Sequence, residues 1–410
     1  MYVASSRIRL PRGQSAHFSR RLAVSFGAFL LTVALLALTL KWYLPSPLDI
    51  IKTPVFPKID RNPKPYTIHL VHVIKGEATL ARSITLLKSV FYYRGILRSN
   101  SPECYLRRIP SPHLCAKQRV IEQASIHLHL IVEQKLLSAT HSCVNQWRVA
   151  QFNWSVYDLD LYLPRVSWIR NRHGSGVGAL SKMLVPDILP TSVTKAIVLD
   201  TDTLLNADIL ELWKLFDNFT QIQIFGMAWE TDPLGPENAE IPIPKNGVNS
   251  GVVLMHLSRM RRAKWSQLFE WAVREVLFQY GVLSIGEQSA LNVLIQNRPE
   301  LYYPIPCEWN LQLWSEAVLF SCPVIWTDRL SEEAICSEYE SPKHGDLAHP
   351  GIPNLVHSNF SPGKPESGGN APSSFRASLN ASKAQTMDEL RLRFLEVYWS
   401  FQPIPQSCFH

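Results

Sequence analysis

Asp200 and Asp202 close an apolar run in "AIVLDTDTLLNADILELW", residues 196–213. Carboxylates at the end of a hydrophobic strand repel each other and lose hydration. In extended chain, side chains two residues apart point to the same side. At the carboxyl edge of a parallel sheet, where α/β folds collect ligands, the pair therefore converges on one point. A divalent cation at that point removes the repulsion. Oxygen donors suit Mg²⁺ or Mn²⁺, and an added imidazole favours Mn²⁺. The competing reading makes one aspartate a helix cap. Asp208, immediately before "ILELW", already stands near that helix start, so the strand-end pair is better explained by a metal.

The elements that must position the pair follow from hydrophobic period. "TIHLVHVI" (67–74) and "SIHLHLIVE" (125–133) read as strands, and "EATLARSITLLKSVFYYR" (77–94) has the helical period. "GALSKMLVPDILP" (178–190) reads as a helix ended by proline, "KAIVLDTD" as a strand, "ADILELWKLFDNF" (207–219) as a helix and "QIFGMAWE" (223–230) as a strand. "GVNSGVVLMHL" (247–257) is a turn feeding a strand, and "SRMRRAKWSQLFEWAVREVLFQYG" (258–281) one long helix. "IGEQSALNVLIQNRPELYYPIPCEWN" gives a helix and an extended segment. The final helix, "TMDELRLRFLEVYWSF", opens on a capping box of Thr386 and Glu389. Strands alternating with helices predict an α/β fold with a mainly parallel sheet covered on both faces. Residues 340–382, rich in Pro, Gly, Ser and Asn, read as loops around one apolar island, "IPNLVHSNF".

The net charge of +7 is concentrated in residues 1–21, where five arginines and no acid supply +5, leaving about +2 for the rest of the chain. That residue is too weak for a phosphate-tracking surface, and nucleic acid is not an expected partner. Leu22–Leu40 is then nineteen residues without a charge, close to the length that crosses a bilayer as a helix. The arginines precede it and only Lys41 follows at once, the charge bias of a signal anchor with a cytosolic N-terminus. The expected organisation is a cytosolic tail (1–21), a transmembrane signal anchor (22–40), a proline-rich stem (41–66) and a lumenal domain (67–410). Seven cysteines without a CxxC suit disulfides with one left over, and Cys104 and Cys115, flanking a proline-containing loop, are one conceivable pair. Asn153, Asn218, Asn359 and Asn380 begin Asn-x-Ser/Thr triplets that a lumenal location makes usable.

"SWIRNRHGSG", "ALSKMLVPDILP", "AIVLDTDTLLNADILELW", "GVNSGVVLMHLSRMRRAKW", "ALNVLIQNRPELYYPIPCEWNLQL" and "NLVHSNFSPGK" together resemble the retaining glycosyltransferases of family 8. They resemble in particular the first, xylosyltransferase, domain of the LARGE-type xylosyl/glucuronyltransferases, across roughly residues 67–401. The resemblance implies a GT-A fold, a Rossmann-like mainly parallel sheet, behind one N-terminal membrane helix. It implies a Golgi type II enzyme with its catalytic domain in the lumen. The implied reaction is Mn²⁺-dependent retaining transfer of xylose from UDP-xylose to a glucuronic-acid-terminated O-mannosyl glycan. By the same resemblance Asp200, Asp202 and His357 hold the metal, and Lys364 meets the phosphates of the leaving UDP. Lys182 lies near the diphosphate, Asn249 contacts the donor sugar and Val73–Glu77 forms a uridine-binding loop. Glu287 and Gln288 would act near the anomeric carbon, although the family carries Asp where this chain has Glu287, and often a second Asp where it has Ser289.

Other readings are weighed against that one. A UDP-glucose or UDP-galactose transferase needs the same site. A pseudoenzyme that binds UDP-sugar or glycan is motivated by Glu287 and Ser289. LARGE-type proteins continue into a glucuronyltransferase domain near the point where this sequence stops, which suggests a partner transferase as one alternative. "DTDTL" also resembles the nucleophile motif of haloacid-dehalogenase phosphatases, but Leu204 breaks its last position.

Overall fold

Fully buried strands alternate their side chains between two cores, and this sheet does so. In a computed structural model of the chain, Tyr66–Ile74 (β1), Ala124–Val132 (β2), Phe152–Asp158 (β3) and Ala196–Leu199 (β4) lie side by side in parallel. Ile68, Leu70, Ile126, Leu128, Ile197 and Leu199 face one hydrophobic cluster. Val71, Ile131, Ala196 and Val198 face the other. Thr203–Leu205 (β5) follows the aspartate turn; Phe225–Trp229 (β6), Val248–Met255 (β7) and Tyr302–Pro304 (β8) complete a seven-stranded sheet in the order β3-β2-β1-β4-β7-β6-β8. Leu311–Gln312 (β9) and Leu355–His357 (β11) join β5 in a second, three-stranded sheet, and Trp326–Thr327 (β10) pairs with Lys383–Ala384 (β12).

The structure describes residues 66–97, 101–104, 106, 124–231, 247–314, 317, 319–327, 350–359, 364–365 and 383–410. The chain divides into two compact units, residues 1–58 and 59–410, and every described residue belongs to the second. The expected tail, membrane anchor and most of the stem lie outside the described residues, as does most of the loop sequence flanking the apolar island. No helix among the described residues is long and apolar enough to cross a membrane. Tyr66, expected at the end of the stem, begins β1.

Helices cover both faces. Glu77–Tyr93 (α1) packs on the first cluster, and Leu137–Val144 (α2) stands beside β3. The expected helix over 178–190 is interrupted. Gly176–Ser181 (α3) passes through a tighter turn, Lys182–Leu184, into Val185–Ile188 (α4). Ile209–Lys214 (α5) is shorter than expected and is capped by Asp208, whose carboxylate accepts the Leu210 N–H at 2.9 Å. The expected long helix over 258–281 is two helices, Leu257–Arg262 (α6) and Trp265–Tyr280 (α7), separated where Lys264 takes φ 54°. Two anchors fix that break. Arg261 donates to the carbonyls of Pro186, Leu189 and Val193, and the Trp265 indole donates to Met183 at 2.8 Å. Glu287–Asn297 (α8) also lies on this face, while Met387–Phe401 (α9) returns to the first cluster behind the expected Thr386/Glu389 capping box.

The sheet is mainly parallel, as expected, with β7 running antiparallel to both β4 and β6. β3 and α2 have no counterpart in the periodicity reading; β3 carries half-buried aromatic and polar residues at the sheet edge. Cys104 pairs with Cys408, not Cys115, which ties the first half of the domain to its last residues, and Cys307 pairs with Cys322. Among the described residues Cys143 is the free cysteine.

Imidazoles inside this sheet make its stability pH-dependent. His72, fully buried against Ser83 at 2.7 Å, is pushed down to about 3 by burial. His129, within reach of His69 and Tyr157 at 2.9 Å each, is pushed down to about 3 by burial and by the neighbouring His127 and His69. An unfolded histidine takes up its proton near pH 6.5, whereas these two stay neutral in the fold. The unfolded chain therefore binds more protons below that pH, and stability falls as pH drops from about 6.5 towards 3. The expected cost at pH 5 is about 2 kcal/mol for a fully enclosed imidazole such as His72. Denaturant titrations from pH 7 to 5 should show the decline, and His72→Asn should make it shallower; an identical slope in the variant would remove His72 from the account.

Candidate active site

The Asp200–Asp202 segment is a turn, not a continuation of β4 as the strand reading had it: β4 stops at Leu199, and the Thr203 hydroxyl donates to the Asp200 carbonyl at 2.7 Å. The two carboxylates still converge. Asp200 is tied to β7 by its N–H to the Gly251 carbonyl at 2.8 Å. Antiparallel pairing of β5 with β11 sets His357 opposite Thr203, and the Ser358 N–H donates to the Asp202 carbonyl at 2.8 Å. Strand pairing thus delivers the late histidine to the early aspartates.

His357 Nε2 stands 3.5 Å from Asp202 Oδ1 and 3.9 Å from Asp200 Oδ2. One donor atom from each of the three residues lies within 4.8 Å of the others. Two carboxylate oxygens and an imidazole, at separations longer than a hydrogen bond, fit a hard or borderline divalent ion. Lys364 Nζ pairs with Asp202 Oδ2 and places one positive charge there. Burial pushes the Asp202 carboxyl up, but His357 and Lys364 outweigh it and hold the group below the usual carboxylate range.

Gly251 explains how the imidazole fits. A Cβ there would lie 2.3 Å from both His357 Nδ1 and Cε1, so the ring occupies the space a side chain would take. Nδ1 itself is buried without a hydrogen-bond partner.

Behind the pair sits a second charge cluster. Lys182 is buried, and its ammonium reaches Glu287 Oε1 at 2.8 Å, Asp200 Oδ1 at 2.9 Å, the Ser250 carbonyl at 3.0 Å and the Ser250 hydroxyl at 3.2 Å. Burial alone would lower the lysine's pKa, but Asp200 and Glu287 reverse that and raise it. Burial would likewise raise Glu287, yet Lys182 and the Ser250 hydroxyl at 2.7 Å lower it. Glu287 is thus held on Lys182 and Ser250 within the wall. Gln288 accepts from the Ser250 N–H at 3.2 Å and donates to Glu230 Oε1 at 3.0 Å. Asn249 also donates to Glu230 Oε1, at 3.1 Å, and its own oxygen accepts from Gly251 N–H and Asn310.

All eight residues expected at the site, Lys182, Asp200, Asp202, Asn249, Glu287, Gln288, His357 and Lys364, line one cleft of about 1530 Å³. Val73 and Lys75 of the expected uridine loop line it too, with Gly76 at φ +90° and its N–H on Glu133 at 3.1 Å. Sequence reasoning missed Ser250, Glu230 and Asn310. Ser250 lies between Asn249 and Gly251 and could have been taken with them; a strand-terminal Glu230 and a loop Asn310 carry no pattern of their own. Among the described residues one other trio, His69, His127 and His129, brings ligand-type atoms together. His69 and His129 are hydrogen-bonded to each other, while His127 is within reach of Ser155 at 2.9 Å.

A carboxylate pair, an imidazole, the buried Lys182 and the rim Lys364 thus stand together at the end of a mainly parallel α/β sheet, a set of donors that could hold a divalent metal. The sequence profile of Glycosyl transferase family 8 matches residues 120–365, and the chain belongs to that family. It is 31% identical over 265 residues to xylosyl- and glucuronyltransferase LARGE2 of Rattus norvegicus, covering 63% of this chain and 34% of that protein. It is 30% identical over 252 residues to LARGE1 of Homo sapiens, covering 60% and 30%. The chain therefore spans about a third of the length of the curated relatives it matches. Mouse xyloside xylosyltransferase 1 in its apo form superposes with a TM-score of 0.47 at 19% identity, over 72% of this chain and 98% of that one.

Gly251→Ala tests the cradle. The added methyl must displace the His357 ring, and Mn²⁺ affinity, read by calorimetric titration, should fall about 10–100-fold, the usual cost of misplacing a ligand's support. Unchanged affinity would show that the ring is not a ligand.

Proposed function

We propose that this chain is a metal-dependent retaining glycosyltransferase of GT-A architecture, which moves a sugar from a UDP-sugar to a glycan hydroxyl. Xylose is the preferred donor sugar because both curated relatives are xylosyl- and glucuronyltransferases. A glucuronic-acid-terminated glycan is the matching acceptor. The observation that carries the reading is the convergence of Asp200, Asp202 and His357 in one cleft with Lys182, Gln288 and Lys364.

Asp200, Asp202 and His357 would hold the ion, which fits Mn²⁺ by its mixed oxygen and nitrogen donors. When bound, a divalent ion supplies positive charge against the departing diphosphate. Lys364, on the rim beside Asp202 and 40% exposed, is placed to neutralise phosphate oxygens. Lys182 fixes Asp200 Oδ1 from behind, and Glu287 fixes Lys182, so both act by positioning. Gln288, held by Ser250 and Glu230 on the cleft wall, would stand near the anomeric carbon of the bound donor. Charge stabilisation of this kind works because the groups are already in place before reaction.

The cleft exceeds the roughly 300–1,000 Å³ of a single small-ligand pocket, leaving room for an acceptor beside the nucleotide sugar. Trp271 and Tyr280 of α7, 38% and 71% exposed on its wall, offer ring faces to that acceptor. The arginine-rich start and the apolar run at 22–40 support a type II anchor in the Golgi membrane, with residues 67–410 in the lumen. The Cys104–Cys408 and Cys307–Cys322 disulfides among the described residues support the same oxidising side. A partner transferase would supply the second sugar of any alternating polymer.

UDP release from a panel of UDP-sugars, with Mn²⁺ and a β-glucuronide acceptor, tests this reading. Turnover should require Mn²⁺ and favour UDP-xylose, and Asp202→Asn should lose at least about 10²-fold in kcat. Full metal-dependent turnover in Asp202→Asn would sink the site assignment, and UDP binding without turnover in the wild-type chain would favour the pseudoenzyme. Glu287→Gln removes the negative charge that Lys182 and Ser250 hold and should cost about 10–100-fold in activity with donor KM little changed; wild-type activity in that variant would remove Glu287 from the site.

A further inference from the structure

Four Asn-x-Ser/Thr triplets occur in the sequence, and three of their asparagines are described. The fold treats those three differently. We propose that Asn153 and Asn218 each carry an N-linked glycan and that Asn359 does not. The inference rests on the lumenal placement proposed above.

An N-glycan is attached to chain that has not yet folded, so the fold acts as a filter. Only an asparagine whose amide faces solvent in the finished structure can keep a large polar substituent. In the step itself, the asparagine Nδ2 attacks the anomeric carbon of a polyprenyl-diphosphate-linked oligosaccharide. An N–C bond forms, the anomeric C–O bond to the diphosphate breaks, the amide loses one proton and the polyprenyl diphosphate leaves.

Asn218 ends the tight turn Leu215–Asn218 and is exposed. The next residue, Phe219, is buried and stacks on Tyr303 at 4.7 Å between ring centres, so the backbone is pinned with Asn218 on the outside. Asn153 is exposed on β3, the edge strand of the main sheet, between two half-buried aromatic residues, Phe152 and Trp154. Phe152 and Trp154 pack on the core cluster, which directs Asn153 to the other face. The Ser155 hydroxyl of the same triplet lies 2.9 Å from His127 Nε2, a contact that forms only once β3 has paired. A glycan at this edge also blocks pairing with another chain.

Asn359 is placed the opposite way. Its side-chain oxygen accepts the Leu313 N–H at 3.0 Å, and it lines the cleft two residues beyond His357. That contact holds the amide in place beside the cleft, and a glycan on its nitrogen would fill the space assigned to substrate. Asn380 lies outside the described residues.

The test uses the full chain expressed in human cells. Enzymatic release of N-glycans in ¹⁸O-water converts each glycosylated asparagine to a heavy-labelled aspartate, read by peptide mass spectrometry. Maleimide labelling of the same sample reports whether Cys104, Cys307, Cys322 and Cys408 are oxidised. Label at Asn153 and Asn218, none at Asn359 and four protected cysteines is the expected result. Label at Asn359, or none at Asn153 or Asn218 with the cysteines protected, overturns the inference while leaving lumenal placement standing. Reactive cysteines with no label anywhere overturn both.

Discussion

Three carboxylates, Asp200, Asp202 and Glu287, meet within one wall of the cleft, and the domain's architecture is organised around making that tolerable. Like charges brought together out of water need opposite charge at contact distance. Buried Lys182 joins Asp200 to Glu287, and Lys364 covers the outer oxygen of Asp202. The oxygens that face His357 remain for a cation. Removing one partner from such a set leaves a buried charge uncompensated, which explains why Lys182 has four acceptors within reach.

The groups come from distant parts of the chain, so precision depends on pairing, not on local structure. The turn between β4 and β5 holds Asp200 against Gly251 of β7 and Asp202 against Ser358, next to His357 at the end of β11. The interruption of the 176–188 segment into short turns lets Lys182 point inward instead of along a regular helix face. Cys104–Cys408 closes the far side by joining the chain end to the region after α1. Residues on a rigid sheet edge hold geometry better than residues on free loops, which suits a site whose chemistry is electrostatic.

Much of this was readable before any coordinates. The apolar, β-branched stretches 67–74, 125–133 and 196–199 specify strands, and the Thr386/Glu389 spacing specifies a helix start that the fold reproduces. That the eight expected residues share one cleft was legible because the motif "NLVHSNFSPGK" tied His357 and Lys364 to Asp200 and Asp202. What was not legible depends on contacts between distant segments. Strand direction is set by connection length and packing, and no residue pattern marks β7 as the antiparallel member of the sheet. The break at Lys264 needs the carbonyls that Arg261 grips, and these lie about seventy residues earlier. The contact of Glu287 with Lys182, from a segment about a hundred residues earlier, is likewise visible only in the fold. Disulfide partners have no local signature, and Cys104 found Cys408.

The central claim is that Asp200, Asp202 and His357 form one divalent-metal site, and pulsed electron paramagnetic resonance of Mn²⁺ bound in the presence of UDP addresses it directly. One imidazole nitrogen should couple to the manganese, and that coupling should vanish in His357→Gln. Bound Mn²⁺ with no nitrogen coupling, or with the same coupling in His357→Gln, would contradict the account.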